Sequence, residues 1–285
     1  MIASILDGIV FGLQLGLLAT GLSLMYGLGG ILNLAYGQMA VVSAVVTVFA
    51  IDAGLPVPVA AVVGLATGAL VGLVLDLTVL RPVYAQRGEA RVLLSLLVSL
   101  GVALMIDGFL NWRYPLKGLS IRIAGGPVEI LGEPMLRGSL VASGITIVAM
   151  GALLAFFRFT TLGRAVRSVI EDEQGARLVG IDPRKMLRLI LVLSGAIAGL
   201  VAITRSMVTP VDVTAGFGIT VFALIVTVVG GLGSVAGALA AGIVLGVVNA
   251  IAATKIGTFM SLVILLVVAA GTILVRPAGL LGVEE

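Results

Sequence analysis

Residues Gly8 to Ile51, GIVFGLQLGLLATGLSLMYGLGGILNLAYGQMAVVSAVVTVFAI, contain no Asp, Glu, Lys or Arg. A second charge-free stretch runs from Val213 to Thr254. Each is long enough for two passes through a hydrocarbon core that needs about 20 apolar residues per helix. The 285-residue chain around them is 60% apolar and 11% charged, whereas soluble domains are about 45–50% apolar and about 25% charged. A soluble globular protein is excluded. The composition predicts an all-α polytopic membrane protein, a single transmembrane domain over residues 1–285.

Working outward, spans are expected at about 5–26, 31–51, 56–76, 92–111, 138–157, 187–205, 217–230, 234–254 and 258–275. The breaks fall at Gly27-Leu28-Gly29-Gly30, at Asp52 to Pro58, at the basic loop 81–91, at 112–137, at the charged loop 158–186, at Thr209 to Gly218, at Gly230 to Gly233 and at Lys255-Ile256-Gly257. The short segment 217–230 is either a tilted span or a re-entrant half-helix, so eight or nine segments are expected. The start, Met1 to Asp7, lacks the basic region of a cleaved signal peptide and is expected to open the first span. Trp112, Tyr84 and Tyr114 flank spans, where amphipathic rings favour the interface.

Arg81, Arg87, Arg91, Arg158, Arg164, Arg167, Arg177, Arg184, Lys185, Arg188 and Arg276 fall on one side of this arrangement; Arg113, Lys117, Arg122, Arg137, Arg205 and Lys255 fall on the other. The positive-inside rule places the larger set in the cytoplasm, with the N-terminus outside and the C-terminus inside. Membrane topology thus accounts for the net charge of +3, and no nucleic-acid partner is expected. In the outer segment 113–137, Ile121-Arg122-Ile123 and Val128-Glu129-Ile130 alternate on either side of Gly125-Gly126-Pro127. That pattern predicts a small hairpin acting as a lid or docking surface.

The chain has no Cys and no His. Disulfides, thiolate chemistry and the common zinc, haem and Ser-His-Asp sites are therefore excluded, no metal is expected, and no residue is assigned as catalytic. None of the three lysines follows a Gly, so the chain carries no P-loop. If ATP drives the protein, another subunit binds the nucleotide and its Mg, and no cofactor belongs to this chain.

The loop 158–186 is the most informative polar segment. A short helix is expected to start near Glu171 to Glu173, where acidic side chains suit the dipole, and to stop at Gly180. Glu173 and Arg177 have i, i+4 spacing in the favourable order. Asp182-Pro183 suits the cap and first residue of the next helix. A helix this short, carrying Ala176, Leu178 and Val179, cannot bury its apolar face alone and needs a partner surface. The other reading is a solvated basic loop with an incidental helix.

The run from Gly163 to Asp182, with Arg164, Ala165, Val166, Arg167, Ser168 and then Ala176, Arg177, Leu178, Val179, Gly180, Ile181, resembles the coupling loop of branched-chain amino acid permeases of ABC importers, the LivH/LivM type. Gly30-Ile31-Leu32-Asn33-Leu34-Ala35-Tyr36-Gly37-Gln38, Val229 to Ala238 and Leu274 to Gly282 agree with the same family, in order and over nearly the whole chain. The resemblance implies a permease subunit, not an enzyme, working with two ABC ATP-binding subunits, a second permease chain of the LivM type and an extracytoplasmic substrate-binding protein. It places ATPase coupling on about Arg164 to Gly180, with Gly163, Arg164, Ala165, Arg167, Glu171, Asp172, Ala176, Leu178 and Gly180 as its residues. Replacing Ala176 with Glu is expected to leave insertion intact and to abolish ATP-driven uptake. Many members carry His where this chain has Tyr36, which argues against a proton-linked role there.

Gly27 to Gly30 and Gly230 to Gly233 are either loops between ordinary spans or openings toward a cavity. On the second reading Asn33, Gln38, Gly30, Gly37, Gly230, Gly231 and Gly233 line the translocation path; on the first, the amides bond between helices. Small residues at i, i+4 (Gly8, Gly12, Gly16; Gly64, Gly68, Gly72; Gly195, Gly199; Gly242, Gly246) predict close helix packing. Asp76, Asp107 and Asp212 fall near span ends and are expected to act as anchors at the water interface. A path lined by small apolar residues and a few amides suits a small zwitterion such as a branched-chain amino acid, and equally urea or a short amide. A stand-alone secondary transporter or channel is disfavoured by the lack of charge at mid-span positions.

Overall fold

The computed structural model describes residues 2–86, 88–115, 118–123, 126–130, 133–276 and 279–280. Arg87, Lys117 and Gly125, counted above, and Pro277, Ala278, Leu281 and Gly282 of the C-terminal motif lie outside these residues. Helices dominate: α1 (Ile2–Gly29), α2 (Tyr36–Asp52), α3 (Val57–Leu75), α4 (Glu89–Arg113), α5 (Arg137–Phe159), α6 (Thr161–Glu171), α7 (Glu173–Leu178), α8 (Pro183–Ser206), α9 (Gly216–Gly230), α10 (Val235–Ile256) and α11 (Thr258–Val275). Six helices, α1, α3, α4, α5, α8 and α10, are long and apolar enough to cross a bilayer. Three shorter apolar helices lie at 36–52, 216–230 and 260–275. This is a multi-pass, all-α membrane architecture, in which six helices, rather than eight or nine, meet the spanning length unaided.

α1 is the axis of the bundle. Its apolar window is 83% buried, against 17–22% for α3, α4 and α5. Lipid offers helices no hydrophobic drive to associate, so close backbone approach has to supply the contact. The glycine stripes do this. A Cβ on Gly242 would strike the Gly16 backbone, and one on Gly246 the backbone of Gly12, so α1 and α10 interlock glycine to glycine. On the other side of the bundle, Gly68 of α3 meets the backbone of Gly195 in α8, and Gly64 faces Thr47 and Ser43 of α2.

At one end of the bundle lie Asp7, Arg205 and a pair of small ladders. β1 (Gly118–Leu119) pairs antiparallel with β4 (Val211–Asp212), and Ile121 N–H donates to the Ser206 carbonyl. β2 (Val128–Ile130) pairs with β3 (Glu133–Met135) in the register Val128 to Met135. The expected hairpin therefore forms with different partners: 128–130 turns back onto 133–135, and the 118–121 edge is taken by the chain after α8. Asp212 thus sits in a strand pair, opposite Gly118.

At the other end, the loop 158–186 holds two helices where one was expected. Thr160 caps α6, its hydroxyl accepting from Gly163 N–H at 2.9 Å. Gly163, Val166 and Val169, three residues apart, form the buried stripe of α6. The signal for α6 was that spacing, interleaved with Arg164 and Arg167. Asp76 also departs from expectation. It is buried beneath a π-helical turn, Asp76–Leu80, that prolongs α3. One carboxylate oxygen accepts from Arg188 Nε at 2.8 Å and the other from the Tyr84 hydroxyl at 2.5 Å. Burial, and then the Asp76 hydrogen bond, push the Tyr84 phenol well above its ordinary range.

Candidate functional site

The residues assigned to coupling divide by the face they present. α6 and α7 meet at Asp172, which ends the first helix and caps the second, its Oδ1 accepting from Gln174 N–H at 2.9 Å. Ala176 is 3% exposed and anchors α7 against the bundle, whereas Leu178 and Val179 are 89% and 74% exposed. Gly180, at φ +85°, closes α7: its N–H donates to the Arg177 carbonyl and Ile181 N–H donates to that of Ala176. These two hydrogen bonds make the Schellman arrangement. Asp182 then caps α8, accepting from Arg184 N–H at 3.0 Å, with Pro183 as the first helical residue. Arg177 bonds Glu173 at 2.6 Å on the exposed side.

Glu171, Arg164 and Arg167 lie exposed, and Ala165 is half-buried. Gly163 faces inward, where a Cβ would strike the Phe156 carbonyl and Phe157 at the end of α5. The structure thus separates packing residues (Gly163, Ala176) and caps (Asp172, Gly180) from the outward-facing Leu178, Val179, Arg164, Arg167 and Arg177. The Ala176→Glu expectation changes accordingly: a carboxylate there enters a packed contact, and the folded loop itself would suffer.

The residues assigned to the path come together around one non-helical segment, 30–35, between α1 and α2. Gly30 ends α1 at φ +58°. Arg91 Nη1 donates to the Gly29 carbonyl at 3.2 Å; Ser95 Oγ accepts from Leu32 N–H at 3.2 Å and Ser99 Oγ from Leu34 N–H at 2.9 Å. Irregular backbone at this depth has to find protein partners, and α4 supplies them. Sequence reading missed Ser95 and Ser99 because nothing local ties them to residues more than sixty positions away.

Asn33 is 1% exposed, and its Oδ1 accepts from Ala35 N–H at 3.0 Å, a turn that starts α2. Its Nδ2 faces Met39 Sδ at 3.5 Å. Asn33 is thereby consumed in local structure. Gly37 N–H donates to Thr220 Oγ1 at 2.8 Å, and a Cβ on Gly37 would strike the Gly216 carbonyl. Gln38 packs against Gly216, its Oε1 buried without a hydrogen-bond partner among the described residues. The two glycine breaks meet: a Cβ on Gly27 would come within 2.9 Å of Gly233 Cα. Gly231 and Gly233 take φ of +105° and +89°, and Gly230 lies against Gly237 and Ala238.

Tyr36 is fully buried, with its hydroxyl unpartnered among the described residues and pressed toward Gly21. A buried unsatisfied polar atom costs about 1–3 kcal/mol. Tyr36→Phe is therefore expected to raise the stability of the purified protein by about 1 kcal/mol without loss of transport, as read by thermal unfolding and by uptake in proteoliposomes.

Comparison with known proteins places this architecture. The family described as "Branched-chain amino acid transport system / permease component" matches residues 4–273, and the chain belongs to it. "High-affinity branched-chain amino acid transport system permease protein LivH" of Escherichia coli is 25% identical over 98% of this chain and 94% of that protein. The BraD permease protein of Pseudomonas aeruginosa, also named for high-affinity branched-chain amino acid transport, is 26% identical over 99% and 95%. The fructose import permease protein FruF of Bifidobacterium longum is 29% identical over 75% of this chain and 59% of its own length. Among solved structures, PsaBC from Streptococcus pneumoniae in complex with Fab shares the fold, with a TM-score of 0.50 and 13% identity over 96% of this chain and 95% of that one.

Proposed function

We propose that the chain is the permease subunit of an ABC importer that carries branched-chain or other small apolar amino acids inward, driven by ATP hydrolysis on two partner ATP-binding subunits. A second permease chain of the LivM type completes the membrane unit, and an extracytoplasmic binding protein delivers substrate to the end that carries Arg205 and the strand ladders. In this reading the chain crosses the inner membrane nine times, with the N-terminus outside and the C-terminus inside. α2, of 17 residues, spans about 26 Å at 1.5 Å per residue; the non-helical segment 30–35 makes up the remaining thickness.

The observation that carries the reading is the outward pair Leu178 and Val179, on a two-helix loop capped at both ends. Two large apolar side chains this bare, outside any spanning helix and in a loop whose Arg164, Arg167 and Arg177 are also exposed, need a partner surface. An ATP-binding subunit with an apolar, acid-rimmed groove fits them. Only four residues separate α7 from α8, so movement of the pair passes directly into a membrane helix. Because Leu178 and Val179 leave the internal packing untouched, Leu178→Glu/Val179→Glu is expected to insert normally yet to lose ATP-driven uptake and the hydrolysis evoked by a loaded binding protein. Uptake at the parent rate in reconstituted vesicles would end the coupling assignment.

A further inference from the structure

Two cavities of about 440 and 250 Å³ open side by side at the Arg205 end of the bundle, and both are walled by Gln14 and Arg205. The larger lies between α1, α5, α8 and α10, and its volume falls in the range of about 300–1,000 Å³ typical of small-molecule sites. Its polar groups are of two kinds. Gln14, one of the most buried amides at 3% exposure, presents Nε2 with no hydrogen-bond partner among the described residues. Arg205, in the last turn of α8, lies with Cζ 4.9 Å from the ring centre of Phe11 and makes no ion pair among the described residues. These are a donor and a cation awaiting an anion. Asn249 Oδ1 is likewise buried and unpartnered, and Asp7, exposed near the start of α1, lines the mouth of the same cavity. These are an acceptor and an anion awaiting a cation. The second cavity continues the space among Leu18, Ile219 and Phe222, with Asp212 also on its wall; away from Arg205 and Asp212 its lining is an apolar recess.

Arg205 is half-buried, a guanidinium drawn partly out of water is costly unless a carboxylate meets it, and guanidinium and carboxylate match as a two-pronged pair. An unpaired donor, an unpaired acceptor, a cation and a carboxylate around one cavity, next to an apolar recess, describe the complement of an amino-acid zwitterion. We propose that this cavity is a binding site for free amino acid within the chain itself. In it Arg205 and Gln14 hold the carboxylate, Asn249 and Asp7 the ammonium, and Phe222 and its neighbours the side chain. The inference rests on the reading of the chain as an amino-acid permease, and it places substrate recognition on α1 and α8 rather than on Asn33 and Gln38.

The test uses the assembled transporter in nanodiscs without its binding protein, with tritiated L-leucine as the probe. Leucine is expected to bind. Leucinamide, which lacks the carboxylate, and 4-methylpentanoate, which lacks the ammonium, should compete about tenfold or more weakly, the loss anticipated when a charged hydrogen bond is removed. Arg205→Gln should weaken leucine by a similar factor and Arg205→Lys should recover part of it. Leucinamide competing as well as leucine overturns the assignment without any variant having to fold, as does unchanged binding in Arg205→Gln. Leucine that stimulates hydrolysis through the binding protein yet does not bind in its absence overturns the site alone. Failure of every amino acid to stimulate hydrolysis overturns the permease reading and the site with it.

Discussion

Gly242→Leu is expected to leave no folded protein to purify. In most cores an added side chain costs about 1–3 kcal/mol, because neighbouring side chains can swing aside. Here the atoms in the way are the Cα and N of Gly16 on the most buried helix of the bundle, and backbone does not swing. Even Gly242→Ala places its methyl against them, so a graded loss from Gly to Ala to Leu is anticipated in the monodisperse fraction recovered from detergent. Gly101 in α4 has nothing within 4 Å of where its Cβ would be, and Gly101→Leu is expected to yield normally if that face meets lipid. Equal recovery of Gly242→Leu and Gly101→Leu would show that the α1–α10 contact is not what assembles the bundle.

The Asp76–Arg188 pair is expected to respond asymmetrically. Asp76's side chain is 4% exposed and Arg188's 48%. Removing the arginine strands a carboxylate in a low-dielectric site with only Tyr84 to bond it, and breaking one side of a buried pair costs far more than the pair contributes. Removing the carboxylate strands a guanidinium that already reaches water. Arg188→Gln should therefore lower the melting temperature of the purified complex more than Asp76→Asn does, and Asp76→Asn/Arg188→Gln should recover most of the difference. An equal or reversed ordering of the single variants would mean that α3 and α8 are not held together through this ion pair.

Charge-free runs, glycine spacing and proline placement are local signals, and what they predicted is what folds locally. The helices fall within a few residues of the predicted spans, the glycine stripes meet other backbones, Asp182 and Pro183 start α8, and Glu173 bonds Arg177. The departures are long-range. Asp76 finds Arg188 112 positions away, 118–119 pairs with 211–212, and the non-helical turn before α2 is held by serines of α4. No period or motif announces such partners, because each depends on where two distant helices cross. The loop 158–186 falls between these cases: its cap residues were legible, but the burial of Ala176 and the exposure of Leu178 depend on how the loop packs beneath the bundle. Asn33 appeared as a mid-membrane amide available to substrate, whereas in the structure it spends its hydrogen bonds starting a helix.

α8 runs unbroken from Pro183 to Ser206, about 33 Å from its first turn to Arg205 at 1.5 Å per residue. Near its middle, Gly195 rests on Gly68 with no side chain between them. A bar wedged backbone to backbone at mid-length, with neighbours along its flanks, moves as one piece: in the proposed importer a nudge at the Asp182 tip would be carried whole to the guanidinium at the opposite tip.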